Sequence, residues 1–264
     1  MIHVIKKQKR FLVNGCLLGT LTCLALNAQA IVNVESLRSD ALPQGLSGSV
    51  SLFINGASGN SDITSATTGG HLNWQQEAIS TMLIARYSYG ESNNVRDTNK
   101  TFIHLRHIIP SSDQRALELF AQAEKNEFTR MSLRTLVGAG IRQAIYSGSN
   151  LTAKLGAGAF YSTEKLEDKI GLTDGGTEQL WRGNFYLALE YTKKTNITLS
   201  STSYYQPDSA NFDDYRLLQQ NKIQFGITDH LAARLTLDIA HDSQPPQSIK
   251  STDVNYLSGV EYTF

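Results

Sequence analysis

The sequence predicts an all-β protein: a transmembrane, antiparallel, up-and-down β-barrel of about 12 strands, with short periplasmic turns and longer extracellular loops. Three observations lead to this fold class. From residue 45 onward, apolar and polar residues alternate with period two, which is typical of strands with one apolar face. The polar connections alternate between short and long. Aromatic residues gather near both ends of the segments, as they do in the girdles of membrane barrels.

The first 30 residues are predicted to be a cleaved signal peptide. Four basic residues lie in the first ten, an apolar run of 17 residues follows, and the small-x-small sequence Ala28-Gln29-Ala30 comes next. The run is too short and interrupted for a membrane-spanning helix. Both cysteines, Cys16 and Cys23, lie in this segment, so the mature chain would contain no disulfide. Residues 31–44 are predicted to be a periplasmic segment and residues 45–264 the barrel.

The charge balance gives no reason to expect nucleic acid as a partner. The chain has 24 basic and 24 acidic residues, and its first 30 residues hold four basic and no acidic ones. The mature chain would therefore carry 20 basic and 24 acidic residues, which is a mildly acidic surface. A water-soluble all-β domain and a membrane barrel both fit this composition.

Twelve segments carry the alternating pattern, and most have nearly the nine to eleven residues that a tilted strand needs to cross a bilayer. All five prolines fall outside them, as ladder hydrogen bonding requires. The tenth segment fits less well, because Gln219 and Asn221 fall on its outward face, and we expect a bulge or a shifted start there. In chain order the segments are 45–58, 64–75, 79–90, 101–109, 115–125, 131–145, 151–162, 180–192, 197–205, 216–227, 231–240 and 254–264.

The connections favour the membrane barrel over a soluble sandwich. Short ones, such as 75–78 and 147–150, alternate with mostly longer ones, such as 90–100 and 163–179. Outer-membrane barrels alternate in this way, and an even strand count places both chain ends in the periplasm. The aromatic residues form two groups: Tyr87, Tyr89, Tyr161, Trp181, Tyr205, Tyr215 and Tyr256 near the outer edge, and Trp74, Tyr191, Tyr262 and Phe264 near the periplasmic edge.

The last strand is expected to close the barrel against the first. Tyr262 and Phe264 would then face lipid. Many outer-membrane proteins end in a similar aromatic-terminated strand that the assembly machinery reads, and the resemblance implies the same role for these two residues. The expected partners are outer-membrane lipid, lipopolysaccharide and the assembly machinery, and we expect a monomer in the outer membrane of a Gram-negative bacterium.

Several stretches resemble the YdiY-like family of salt-induced outer-membrane proteins, whose domain is of unknown function (family 481). They are "GLSGSVSLFINGASGNSD", "FIHLRH", "ELFAQAEKNEFTRMSLRTLVGAGIR" and the terminal "SGVEYTF". The resemblance extends over nearly all of residues 45–264 and implies a β-barrel in the outer membrane. It carries over no functional residue.

The inward face of the predicted barrel carries many charged residues. They have two interpretations: paired charges that stabilise a polar interior, or the wall of a narrow channel that prefers anions. Twelve strands give a backbone diameter of roughly 25 Å, which long side chains from both walls could reduce to on the order of 10 Å or less. The residues are Arg86, His104, Arg106, Glu118, Glu124, Arg134, Arg142, Lys154, Arg182, Glu190, Lys222, Arg234, Asp238 and Glu261.

Other candidate chemistry is weak. Four glycines lie inside two neighbouring predicted strands: Gly138, Gly140, Gly156 and Gly158. A phosphate-binding loop would need glycines in a turn that opens a helix. We expect instead that these glycines leave space for the rings of Phe120, Phe160 or Tyr186, or allow sharp curvature of the wall. An outer-membrane hydrolase would need an outward Ser and His. His107 is the only outward histidine in the predicted strands and lies at the periplasmic edge, so we expect no enzyme.

The loops offer no defined binding site either. Their carboxylates could bind divalent ions that bridge lipopolysaccharide, but the default interpretation is a solvated acidic loop surface. The residues are Glu164, Glu167, Asp168, Asp174, Asp208, Asp213 and Asp214. We expect no metal site and no cofactor. A surface protein that binds partners through these loops remains an alternative to the structural barrel and the narrow solute channel.

Overall fold

A computed structural model describes residues 44–58, 62–193 and 196–264. The predicted signal peptide, and all but the last residue of the predicted segment 31–44, lie outside the described residues. The fold prediction is confirmed: the chain forms a closed barrel of twelve antiparallel strands. The strands are β1 (Gly45–Ala57), β2 (Ile63–Gln76), β3 (Ile79–Ser92), β4 (Val95–Ser112), β5 (Arg115–Asn126), β6 (Met131–Ser147), β7 (Leu151–Leu166), β8 (Gly176–Lys193), β9 (Ile197–Pro207), β10 (Tyr215–Gly226), β11 (Leu231–Asp242) and β12 (Thr252–Thr263).

Each strand pairs with its sequence neighbours, and β12 returns to β1 to close the wall. This closing seam is short, with five register pairs from Ser49–Thr263 to Phe53–Gly259. At its periplasmic end, the backbone N–H groups of Gly48 and Phe264 each donate to the carbonyl of the other at 3.0 Å. The terminal aromatic residue therefore belongs to the seam. Among the described residues, no helix is long and apolar enough to cross a membrane.

Alternation along the strands separates the two faces of the wall. On β1, Val50, Leu52 and Ile54 are exposed on the outside, whereas Ser49 and Ser51 are buried inside. The same alternation continues through β12, where Tyr262 is exposed and Glu261 is buried. An apolar outside and a polar inside is the pattern that a lipid-spanning barrel requires.

Two expectations about the connections were wrong. The predicted long loop at 90–100 is a tight hairpin, because Asn93 and Asn94 adopt φ angles of 51° and 59° and form a two-residue turn. The connection between the predicted segments 115–125 and 131–145 is reduced to one 3-10 turn, Glu127–Thr129. The long outer connections are 167–175, 208–214 and 243–251. Strands β4 and β8 each reach 18 residues, so they extend beyond the bilayer.

Two further expectations were wrong within the strands. Pro110 lies inside β4 and Pro207 ends β9, although all prolines were expected outside. The register shifts between Pro110 and Ser112, and proline is tolerated at such a bulge. Strand β10 has no bulge and its pairing is regular on both sides. Gln219 and Asn221 therefore face outward within an undistorted strand.

Candidate functional site

The candidate site is the barrel interior, and the structure places all fourteen predicted lumen residues on the inward face. Eleven of them are buried. The other three, Arg86, Lys154 and Glu190, are partly exposed. Burial at this level means that side chains pack against one another across the interior.

A chain of ion pairs crosses the barrel near its outer end. Arg134 on β6 bonds to Glu124 at 2.6 Å and to Glu164 at 2.7 Å. Glu164 on β7 also contacts Arg216 on β10 at 3.2 Å, and Arg216 contacts Asp242 on β11 at 2.9 Å. Strands β5 and β11 lie six positions apart in the ring of twelve, so they face each other across the barrel. We call the chain from Glu124 to Asp242 the outer bar.

A second crossing lies nearer the periplasmic end. Arg106 bonds to Glu118 at 3.0 Å, and the hydroxyl of Tyr186 donates to the same carboxylate at 3.2 Å. Tyr186 lies on β8, three positions from β5, so this contact also bridges separate parts of the wall. We call Arg106, Glu118 and Tyr186 the inner bridge.

Glycines on β6 and β7 make room for the aromatic rings of the interior, as the sequence predicted. A Cβ atom on Gly156 would lie 1.9 Å from the ring of Tyr186, and one on Gly138 would lie 2.5 Å from the ring of Phe120. The absence of side chains here leaves space for both rings against the wall. Gly156 therefore helps to position the inner bridge.

A small cavity of about 30 Å³ lies between the outer bar and the inner bridge. Arg106 lines it on one side, Arg134 and Arg216 line it on the other, and His104 and Tyr204 are also in its wall. This volume has room for about two water molecules, since one needs at least about 10–15 Å³. Its wall mixes charged and polar side chains with the apolar side chains of Phe120, Leu136 and Phe160.

The interior is more nearly neutral than the sequence suggested. The predicted list has eight permanently cationic side chains against five carboxylates. The structure adds the cations Lys100 and Arg216, and the carboxylates Glu164, Asp214, Asp242 and Asp253. Among these residues alone, the balance becomes ten cations against nine carboxylates. Glu164 and Asp214 had been assigned to solvated loops, which was wrong: Glu164 belongs to the outer bar and Asp214 bonds to Arg182 at 2.8 Å.

The extracellular mouth is crossed by loops that Arg130 holds together. Its guanidinium is only 1 % exposed and donates to Asp174 at 2.7 Å, to the Glu167 carbonyl at 3.0 Å and to the Gln247 carbonyl at 3.1 Å. Arg130 follows β5, whereas Gln247 follows β11 on the opposite side of the ring. Gln247 also donates its backbone N–H to Asp174 at 2.6 Å. We call this group the mouth clasp.

The electrostatics of the clasp favour the charged form of Asp174. Partial burial of its carboxyl acts to raise the pKa, but the hydrogen bonds from Arg130 and Gln247 outweigh burial and hold the pKa below its usual range. Asp174 is therefore an ionised carboxylate at neutral pH.

The histidines of the wall correct two expectations about catalysis. His241 is a second outward strand histidine, because β11 extends to Asp242, and its ring bonds to Thr252 at 2.8 Å. Inside the barrel, Ser49 and His71 are register partners and bond at 3.0 Å, a pair that the sequence analysis missed. Nothing among the described residues hydrogen-bonds to the other nitrogen of His71, so this pair lacks the orienting group of a catalytic triad.

The described residues contain no cluster of three or more His, Cys, Asp or Glu side chains that could hold a metal ion. Aromatic rings do form the expected outer group on the lipid face. Tyr161 and Trp181 lie 5.4 Å apart, and Tyr205 and Tyr215 lie 5.8 Å apart between ring centroids. Trp74, Tyr262 and Phe264 are exposed at the periplasmic end.

Comparisons with known proteins agree with this architecture. No curated protein sequence matches the chain. Among solved structures, the translocator domain of autotransporter NalP from Neisseria meningitidis aligns at 13% identity and a TM-score of 0.50, with 87% of this chain and 91% of that chain covered. The NanC porin aligns at 10% identity and a TM-score of 0.49, with 83% and 100% covered. The KdgM porin aligns at 10% identity and a TM-score of 0.46, with 83% and 99% covered.

The likeness to the translocator domain concerns the fold alone, which is that of an outer-membrane β-barrel. A family model described as "Protein of unknown function, DUF481" matches residues 50–264 and thus the whole barrel beyond the first half of β1. The chain belongs to the DUF481 family.

Proposed function

We propose that this protein is a passive structural barrel of the Gram-negative outer membrane, exported by its N-terminal signal peptide and closed at rest by its own side chains. The observation that carries the proposal is the outer bar, which joins opposite walls through buried ion pairs. The proposal assigns no catalytic residue. Its partners are outer-membrane lipid, lipopolysaccharide and the assembly machinery that reads Tyr262 and Phe264.

Single-channel recording of the refolded protein in planar bilayers tests the closed state. We expect no sustained open level, because the outer bar, the inner bridge and the mouth clasp each cross the path of an ion. A stable conductance of porin size in most insertions would contradict the proposal. Insertion itself is checked by heat-modifiable migration of the same sample on mild-detergent gels.

The second candidate is a narrow channel that prefers anions. Arg86 favours it, because it is one of the three inward charged residues of the predicted set that are only partly buried. The excess of one cation is small, so any preference for anions should also be small. If current flows, neutralising Arg134 and Arg182 together should move the reversal potential toward cations. Cation preference in the unmodified protein would contradict this candidate.

A surface protein that acts through its loops is a third candidate. Ile170 and Phe212 are strongly exposed on the loops 167–175 and 208–214, where a partner outside the cell would meet them. Replacing both with serine should abolish such binding and leave the barrel intact. Unchanged binding of whole cells to a candidate partner would contradict this role.

A further inference from the structure

The lipid-facing wall carries a compact polar cluster on β9 and β10. Ser201 and Ser203 face outward on β9, and Gln219 and Asn221 face outward on β10. We call these four residues the wall cluster. The register places them in two horizontal rows between apolar neighbours: Leu187–Ser203–Gln219–Ile239 and Leu189–Ser201–Asn221–Leu237.

The cluster lies in the middle of the apolar band. The next outward row toward the cell exterior contains Phe185 and Tyr205, and the next row toward the periplasm contains Tyr191, Leu199 and Ile223. Because both rows contain aromatic residues, the cluster lies between the two aromatic girdles, where hydrocarbon surrounds a barrel.

The four side chains bond to one another and leave one donor group unused. Gln219 donates to Ser201 at 2.9 Å and to Asn221 at 3.0 Å, and Ser201 donates to the Asn221 oxygen at 3.0 Å. Ser203 donates to the Gln219 oxygen. The carboxamide nitrogen of Asn221 donates to none of the described residues. Two N–H groups therefore point into an environment that offers no acceptor, which is costly in hydrocarbon.

We propose that the wall cluster is the centre of an interface with a second copy of this chain, so that two barrels pack side by side along β9 and β10. Membrane-embedded interfaces are built from small residues that allow close approach and from polar residues that hydrogen-bond across the contact. The two serines form a shallow column between Leu187 and Leu189 on one side and Gln219 and Asn221 on the other. A leucine of the second copy fits such a column.

The complementarity of Asn221 and Gln219 identifies a second copy as the occupant. The Asn221 oxygen already accepts from Gln219 and Ser201, but the Gln219 oxygen accepts only from Ser203. The unused N–H groups of Asn221 can therefore donate to the Gln219 oxygen of a second copy, and a two-fold axis repeats this bond in the other direction. An isologous contact of this kind needs only one surface patch. A lipid tail offers no acceptor at this depth. The inference replaces the expectation of a monomer.

The test compares the mass of the protein–detergent complex, by light scattering and native mass spectrometry, for two matched variants. Gln219→Leu combined with Asn221→Leu removes the polar groups but keeps an apolar face. Thr68→Leu makes a similar change on the lipid face of β2, far from the cluster. We expect a dimer for the unmodified protein and for Thr68→Leu. We expect dimer association at least tenfold weaker for the double variant, which corresponds to about 1.4 kcal/mol.

Cysteine cross-linking locates the interface in native membranes, since the chain has no cysteine after residue 23. Single cysteines at Leu187, Ile223 and Ile239 surround the cluster, and Ala85→Cys lies at similar depth on the opposite wall. A membrane-permeant oxidant should cross-link two copies through at least one of the first three and not through Ala85→Cys. The inference is overturned by a monomer in mild detergent, by a dimer that survives the double variant, or by a cluster cross-linked only to a different protein.

Discussion

Glu164 is the central carboxylate of the outer bar, and its removal should weaken the whole barrel. Glu164→Gln keeps the size of the side chain but deletes the charge that Arg134 and Arg216 share at 2.7 Å and 3.2 Å. All three residues are less than one tenth exposed, so the two guanidinium groups would then repel each other in a poorly hydrated interior. Breaking a buried ion pair by removing one partner costs about 3–5 kcal/mol.

We therefore expect the free energy of unfolding, measured by guanidinium titration in detergent micelles, to fall by about 3–5 kcal/mol. The matched control is Glu77→Gln, because Glu77 lies in the exposed turn between β2 and β3, at the other end of the barrel from the outer bar. This control should change stability by less than about 0.5 kcal/mol, as exposed substitutions usually do. Equal stability of the two variants would refute the outer bar as a stabilising element.

Three further predictions concern the lipid face, assembly and pH. Leu187→Arg should lower the free energy of unfolding, measured by urea titration, by roughly 2–4 kcal/mol, because it places a charge at the bilayer midplane. Gln224→Arg, on the inward face, should lower it much less. Equal losses would mean that the two faces of the wall are misassigned. Phe264→Ala removes the terminal ring that we propose the assembly machinery reads, so we expect slower membrane insertion in pulse-chase experiments. The variant keeps both backbone bonds to Gly48, so the stability of the folded protein should not change. Insertion at the normal rate would contradict the recognition role. The pKa of Asp174 is lowered in the folded state, so the clasp should be intact at neutral pH and should loosen as pH falls below the usual value of 3.8. The hydrogen-exchange protection factor of the Gln247 backbone amide should fall as the clasp loosens. In Asp174→Asn, this protection factor should no longer depend on pH.

The sequence predicted the fold well because alternation is a local property. Which residue faces lipid follows from period two along each strand, so the inward set could be chosen without knowing any partner. The pairing inside the barrel could not be predicted in this way. Glu164 and Arg216 are 52 residues apart and meet only because closure brings β7 and β10 face to face across the interior.

Strand ends were less predictable than strand faces. Strands β3 and β4 continue their pairing beyond the bilayer as a hairpin that turns at Asn93 and Asn94. This part of a strand is exposed to water and needs no apolar face, so its polar sequence resembles that of a loop. The same difficulty placed Glu164 in a loop, although β7 extends to Leu166. Gln219 and Asn221 did give a signal: two amides on a lipid-facing surface. The pattern predicts a bulge or a shifted start, but the register of β10 is regular, so the polarity of these two residues must be explained by what lies against them.

The two crossings of the interior lie at different depths, and this separation predicts how the barrel could be opened. The outer bar joins the extracellular ends of β6, β7 and β10, whereas Glu118 of the inner bridge is the fourth residue of β5 from its periplasmic end. The small cavity lies between them. An ion that passes one crossing still meets the other, so neither single variant should conduct.

Combining Glu164→Gln with Tyr186→Ala removes the shared carboxylate of one crossing and the bridging ring of the other. We expect the double variant to show single-channel currents that neither parent shows. The double variant lacks the carboxylate of Glu164, so the counted interior residues become ten cations against eight carboxylates. These currents should therefore favour anions. Conduction by Glu164→Gln alone would mean that the inner bridge does not block the path. If the double variant is folded, as checked by heat-modifiable migration, but does not conduct, other side chains fill the interior and the two crossings are not what closes it.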